Sequence, residues 1–547
     1  ISAGFYYKTF MGPFHNTKFW MLCERFIRKA AGLGTASKDS DPSNYDFSNI
    51  FCEILIIGSG ISGLLAAQKC VDKGLKTILV EQDFELGGEL IYSGKKSEIE
   101  LRNNLVKNLI SSGCIILKRS VAFGIYDNLV TGVLEKVTDH LENPNENLPR
   151  EIIHIIRPNK IILATGAIER GFAFPNNDLP GVMLAHSVSK YVSRFSVAVG
   201  KNIILSTSNN KTYEDAKILL ENGLKVTILD TRLSKFSFQK NIIDLGGEVI
   251  RGVVPINCLG NKQLAGVEIS NISEDMKIHG NKRQVGCEIL GISGGFSPLL
   301  NLHSQRGVKP KWNDNIKSFI PGTTEEKIFA LGSVSGIFDH NYILENTNLF
   351  VDEILSGKKS STSNNFQNFE KLKTIFEVKF SKNSSKSFVD LQHDVTTDDI
   401  RQSVDEGFKS VEHMKRYTTL GMAIDQGRIG NVIGIGVLAD KLNLNVKDTG
   451  TTTFRPPFVP ISIGAFAGRY VGIEWAPIRR TPMHDLHLRD GAIMTDAGDW
   501  KRPWYYPKSN ENIDLAYVRE AKTTRNSIGM VDVSTLGKIL IQGNDAS

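Results

Sequence analysis

The 547 residues, 41% hydrophobic and 23% charged, have the balance of a folded chain and the length for two to four domains with their own cores. The net charge of +6 is spread thinly over 65 basic and 59 acidic residues, which argues against nucleic acid as a partner. No run of ~18–20 apolar residues is present to form a membrane helix, so no membrane partner is expected.

The first thirty residues are aromatic, but Lys18, Glu24, Arg25, Arg28 and Lys29 interrupt any signal-peptide core. Position 1 is Ile, and the last residues, GKILIQGNDAS, read as a strand and turn; both ends are expected to be truncated. Six cysteines, at 23, 52, 70, 114, 258 and 287, form no CxxC and have no finger-type partners. Reduced thiols in a cytoplasmic protein are the expectation, with Cys52 and Cys70 packed in apolar segments.

From Cys52 the chain reads CEILIIGSGISGLLAAQKCVDKGLKTILVEQ. Ile54 to Ile57 have the composition of a buried parallel strand. Gly58, Gly60 and Gly63 follow in G-x-G-x-x-G spacing, then a Leu/Ala-rich helix stopped at Gly74, then a second strand from Thr77 to Val80. Gly58 permits the tight turn, Gly60 lets backbone approach a pyrophosphate, and Gly63 lets helix and strand pack closely. The helix N-terminus offers free N–H groups to phosphates, and Glu81 is placed to accept from a ribose diol. The candidate contacts are therefore Gly58, Ser59, Gly60, Ile61, Ser62 and Gly63, with Glu81 and Gln82 at the second strand end.

Lys160 to Gly166, KIILATG, and Lys327 to Gly336, KIFALGSVSG, each read as a strand closing on glycine. They resemble the segments that reach the nucleotide in two-dinucleotide flavoproteins, which adds Thr165, Gly166, Gly332 and Ser333 to the candidates. Gly87 and Gly88 match that superfamily's second glycine pair. Its flavin-binding members usually carry Asp where this chain has Ser333, which leaves room for NAD in place of FAD at this site.

Lys201 to Asp230 repeats the strand–helix–strand pattern, but its turn, Ser206-Thr207-Ser208-Asn209-Asn210, has no glycine. Side chains there would crowd a pyrophosphate, so an empty nucleotide-type unit kept for architecture is expected.

Three further stretches are more specific. AGFYYKTFMGP with ERFIRKAAGLG, then CEILGISGGFSPLLNLHSQRG from Cys287, and above all HDVTTDDIRQSVDEGFKSVEHMKRYTTLGMAIDQGR from His393 resemble the alpha subunits of heterotetrameric sarcosine oxidases. RRTPMHDLHLRDGAIMTDAGDWKRPWYYP, from Arg479, resembles the opening strand and turn of the glycine-cleavage T-protein. His484, Asp485 and His487 lie there, but no complete metal-ligand set is visible and no metal is expected.

The resemblance implies an α/β fold of several parts. These are a connecting segment (1–50) and an FAD/NAD(P)-binding two-dinucleotide, Rossmann-like domain (51–360) with a second Rossmann-like unit inserted at about 200–280. A Ser/Asn/Lys-rich linker (361–386), a small helical domain (387–447) and a connector (448–478) follow. The last part is the start of an α+β aminomethyltransferase folate-binding domain (479–547), whose principal acid would lie beyond Ser547. The helical domain resembles one that holds a 2Fe–2S cluster in opine oxidases, yet residues 386 to 547 contain no Cys, which excludes the four thiolates a cluster needs. Asp398, Asp399 and Glu406 are expected near helix starts, with Lys409 later, where they suit helix dipoles.

By the same resemblance, this chain carries NAD, with FAD as the alternative at that site. A beta subunit carries FAD, FMN lies at their interface, and gamma and delta subunits complete the complex. Sarcosine would be oxidised to glycine with formation of hydrogen peroxide, and the one-carbon unit passed to tetrahydrofolate as 5,10-methylenetetrahydrofolate. The residues that oxidise the amine are expected on another chain, so the catalytic residues of this one stay unassigned. The alternatives are an equivalent subunit acting on N-methylglutamate or another secondary amine, and a non-catalytic scaffold that binds nucleotide and folate.

Overall fold

The computed structural model describes residues 18–30, 32, 37–324, 326–357, 375–379, 385–468, 476–543 and 546. The AGFYYKTFMGP motif and most of 361–386 lie outside them. The chain divides into two units, 1–43 and 44–547. In the first, helix α1 (Lys18–Ala30) carries an Arg28–Glu24 ion pair at 2.6 Å, one helical turn apart.

In the second, Ile54 to Ile57 end a strand longer than their apolar run, β1 (Tyr45–Ile57). Helix α2 (Ile61–Asp72), β2 (Thr77–Val80), α3 (Lys96–Ser111) and β3 (Ile115–Leu117) follow. Then come β4 (Ser120–Ile125), β5 (Thr131–Lys136) and β6 (Glu151–Leu163). The sheet order is β3-β2-β1-β6-β5-β4, parallel from β3 to β6 and antiparallel beyond. Pro158 lies within β6 and has no N–H to give a ladder. On its two sides β6 takes different partners: β5 along Glu151–Ile156, and the late strand Ile328–Ala330 along Ile161–Leu163.

Strands β7 (Ala167–Glu169) and β8 (Val182–Leu184) lead into helix α4 (Ala185–Phe195). The second nucleotide-type unit is β9 (Asn202–Thr207), α5 (Lys211–Glu221), β10 (Lys225–Asp230), α6 (Phe238–Asp244) and β11 (Glu248–Arg251). An antiparallel sheet β12 (Val253–Gly260), β13 (Leu264–Ile272) and β14 (Ile278–Gly286) packs on it, and β15 (Ile289–Ser293) completes a parallel sheet β11-β10-β9-β15-β8. The unit is thus wider than 200–280, because β8 and β15 supply strands from outside that range.

The stretch expected as a linker is partly structural. Ile375 and Val378 are buried with Leu229 and Ile256. Val378 N–H donates to Ala173 O at 2.8 Å, and Ala173 N–H to Phe376 O at 2.9 Å. Glu377 pairs with Arg401, and the Phe376 ring occupies the space where a side chain on Gly436 would stand.

Past that strap, Thr396 caps the helix Thr397–Asp405 and exchanges bonds with Asp399, so Asp398 and Asp399 do sit in a first turn. Glu406, expected at a helix start, instead closes that helix, where Gln402 Nε2 donates to it at 3.0 Å. Ile400, Met414, Leu420, Ile433 and Leu438 form the core of this helical block against Ala173 and Val334.

Near the C-terminus, Ile493–Ala497 and Trp500–Tyr505 form a hairpin. His484–Arg489 is a short helix, not the expected strand and turn. Residues 537–542 form no strand either, since no described strand lies beside them to pair with, and Ile539 and Leu540 are exposed. Among the described residues, no helix is long and apolar enough to cross a membrane.

Candidate functional site

The turn from β1 into α2 is shaped by what its glycines leave out. Gly58 has φ +99°, and a Cβ on it would overlap the Ala164 carbonyl; one on Gly63 would overlap the Gly58 carbonyl. Strand and helix therefore approach more closely than any side chain permits. Gly60 differs, since a Cβ there would meet nothing within 4 Å. Helix α2 starts at Gly60 without a side-chain cap, so its first N–H groups are left for a ligand.

That open face borders a cavity of about 800 Å³, within the size range of cofactor pockets. Of the residues expected to touch a dinucleotide, Gly58 to Ser62, Glu81, Gln82, Gly88, Thr165, Gly166 and Ser333 border it. Gly63, Gly87 and Gly332 stand behind it as spacers. Gly87 N–H donates to Ser59 Oγ at 3.1 Å, and a Cβ on Gly332 would overlap Ser62 Oγ. Glu81 does more than wait for a ribose: its Oε2 accepts the Ser59 N–H at 2.8 Å and the Ser59 hydroxyl at 2.6 Å, and its Oε1 accepts Asp83 N–H at 2.8 Å. The carboxylate braces the turn first, and only its remaining lone pairs face the cavity.

The second nucleotide-type unit meets the same cavity through Ser208, Asn209 and Asn210, but its turn is largely bonded to itself, Ser206 Oγ excepted. Asn209 Nδ2 donates to Ser293 Oγ at 2.8 Å, and Thr207 and Thr212 share a bond at 2.8 Å. Asp230, the counterpart of Glu81, is held by Arg232 at 2.8 Å and by the Tyr213 hydroxyl at 2.7 Å.

Between the two nucleotide-type units lies a charged wall not anticipated from the residues in order. Asp83 binds Arg194 at 2.6 and 2.7 Å, Glu89 pairs with Lys211, and His340 Nδ1 lies 3.3 Å from Glu98. Against burial, the Lys211, His186 and His340 charges hold Glu89 down to about 2. Asp215 takes His186 Nδ1 at 2.9 Å, and Glu169 accepts the His186 N–H at 2.8 Å. A signal was present: His186, Lys190 and Arg194 recur every four residues, the spacing of one helix face. The other half of the wall comes from separate segments, which spacing cannot connect.

In the C-terminal part, both nitrogens of His487 are engaged, Nδ1 with the Tyr506 hydroxyl at 2.6 Å and Nε2 with Asp532 at 3.0 Å. Hydrogen bonds from Ser534, then His487, hold the Asp532 carboxyl well below the usual range. Among the described residues, no group of three or more His, Cys, Asp or Glu converges as a metal would require.

Family models match three stretches: an FAD binding domain at 53–95, a sarcosine oxidase A3 domain at 384–469, and the GCVT N-terminal domain at 483–547. Sarcosine oxidase subunit alpha of Corynebacterium sp. (strain P-1) is 33% identical over 94% of this chain and 55% of its own length. That of Rhizobium meliloti (strain 1021) is 35% identical over 100% of this chain and 55% of its own. The chain thus spans about half the length of the curated relatives it matches. The solved L-proline dehydrogenase from P. horikoshii superposes with a TM-score of 0.60 at 20% identity, covering 77% of this chain and 80% of that one, which shows a shared fold alone. Along nearly all of its own length, the chain is a homologue of the sarcosine oxidase alpha subunits.

Proposed function

We propose that this chain serves as the alpha-type subunit of a sarcosine oxidase, working within a complex with beta, gamma and delta subunits. The observation that carries this is the order of parts: a dinucleotide cradle, an A3-type helical block and an aminomethyltransferase opening in one chain, matched by the alpha-subunit relatives. The chemistry would be oxidation of sarcosine to glycine with hydrogen peroxide formed, and delivery of the one-carbon unit to tetrahydrofolate as 5,10-methylenetetrahydrofolate. FAD and FMN would sit in the partner or at the interface, and the six free thiols suit a cytoplasmic setting.

In the cradle of this chain we place an adenine dinucleotide, NAD by preference because Ser333 stands where flavin-binding members usually carry Asp; the match to an FAD binding model keeps FAD as the alternative. When bound, such a group accepts or gives a hydride. The residues do the holding: Gly60 admits the pyrophosphate, the α2 N–H groups meet its charge, and Glu81 disfavours a 2′-phosphate. Extraction of NADP from purified protein would sink this placement. Finding FAD would sink only the preference for NAD.

The test of function is assembly of the full-length subunit with its partners, followed by oxygen uptake on sarcosine. Uptake on N-methylglutamate alone would identify the sister enzyme, and uptake on neither would leave a scaffold. A form ending at Ile478 tests the folate part. It should still oxidise sarcosine but release free formaldehyde in the presence of tetrahydrofolate, because the enclosed transfer gains only from effective concentration. Equal product ratios in both forms would make that domain an assembly surface.

A further inference from the structure

The wall built by β7 and α4 carries three cavity-lining groups that the reading above leaves unused: Glu169, His186 and Lys190. Glu169 is 4% exposed; its Oε2 accepts the backbone N–H of His186, while the buried Oε1 has no hydrogen-bond partner. A buried carboxyl with a bare oxygen is costly unless it is protonated or meets a ligand. Burial, with Asp215 nearby, pushes Glu169 up, against the Ser293 hydroxyl and the His186 charge, which favours keeping an O–H on it.

His186 is oriented through Nδ1 by Asp215, which the Ser189 hydroxyl fixes at 2.5 Å. That leaves Nε2 for the cavity. Burial opposes the charge, but the hydrogen bond and charge of Asp215 hold the imidazole up to about 9. Lys190, one turn further along α4, has its Nζ 5.0 Å from the Tyr92 ring centre. Arg194 and Lys211 are matched by carboxylates, whereas Lys190 has none among the described residues.

We propose that this wall binds the carboxylate of a small molecule, with Glu169 and His186 as paired hydrogen-bond donors and Lys190 as the counter-charge. Two donors lining one cavity wall suit the two oxygens of a carboxylate. Phosphate is already provided for at the start of α2, where backbone N–H groups border the same cavity. The site stands on these side chains and does not depend on which amine the complex oxidises.

Acetate is the probe, titrated calorimetrically into the full chain with and without NAD or FAD. Saturable binding is expected, weakened roughly tenfold by His186→Gln or Lys190→Met, the size of a lost charge-assisted contact. Glu169→Gln should weaken it less, since its amide still donates, but should remove an infrared carboxylic-acid band seen in the wild type at neutral pH. Lys190→Met, half-buried and without an ion pair, keeps the test open if the other variants do not fold. Absence of saturable binding overturns the proposal, as does equal affinity in wild type and variants. Competition between acetate and a dinucleotide also overturns it, because the cofactor's own phosphate would then be the anion. Failure to bind any dinucleotide would sink the cofactor placement alone and leave the acetate result to judge this one.

Discussion

In the unit of β1, α2 and β2, the phosphate turn presents Gly60 to open space and keeps Glu81 at the cavity edge. In the unit of β9, α5 and β10, the same turn is filled by Ser208, Asn209 and Asn210, and the acid at the strand end is neutralised by Arg232. Both are parallel strand–helix–strand folds with a carboxylate in the same place. The difference teaches that a nucleotide site is made by what is left unsatisfied at the cavity: the first unit leaves N–H groups and lone pairs over, and the second uses most of its own up.

The largest expected effect breaks the second unit. Arg232→Ala leaves Asp230, which is fully buried, without its cation and should cost about 3–5 kcal/mol of stability by urea unfolding. If the loss is near zero, Asp230 is not the closed counterpart of Glu81. Next comes the first unit. Gly63→Ala drives a methyl into the Gly58 carbonyl, so a cost of about 1–3 kcal/mol and loss of co-purified dinucleotide are expected. Asn209→Gly, its mirror experiment, should gain no dinucleotide, because Asp230 is still occupied; a gain would contradict the self-satisfied turn.

The wall between the units should show in the pH dependence of stability. Burial, with Asp215 nearby, raises Glu169 well above its ordinary 4.5, so rising pH from there favours the unfolded chain until Glu169 ionises in the folded one. His186, at about 9 against 6.5, contributes fully below 6.5 and loses its contribution as pH rises through 9. Both act in one direction, so urea midpoints should fall between pH 6.5 and 9, and the double variant Glu169→Gln, His186→Gln should flatten that limb. An unchanged slope would remove the pair from the account. The smallest effect is Glu81→Gln: the amide oxygen still accepts from Ser59, but the charge and the acceptor for Asp83 N–H are lost, at about 1 kcal/mol and with weaker rejection of a 2′-phosphate, measured as the NADP-to-NAD affinity ratio.

Much of the first unit was legible in order, because its strand, turn, helix and second strand are consecutive and each residue type has a local reason. The double role of Glu81 was not, since its partner Ser59 becomes visible as a donor only once the turn is folded. The wall escaped for a longer-range reason: Glu89, Glu169, His186 and Asp215 sit on four separate elements brought together by sheet packing. GKILIQG misled in the other direction. Its composition suits a strand, but a strand exists only against a neighbour, and none of the described residues supplies one.

The strap at 375–379 changes how the molecule should come apart. Ile375 and Val378 belong to the core under the second sheet, while Phe376 fills the hollow at Gly436 and Glu377 holds Arg401 in the helical block. Four residues are thus keyed into two layers at once, like a rivet through overlapping plates. Neither layer can open a little while the other stays shut, so the energetic boundary between them does not follow the boundary between the domains. Opening at either side should register at the other as shared hydrogen-exchange protection, and the A3-type block and the second nucleotide-type unit then melt as one cooperative body.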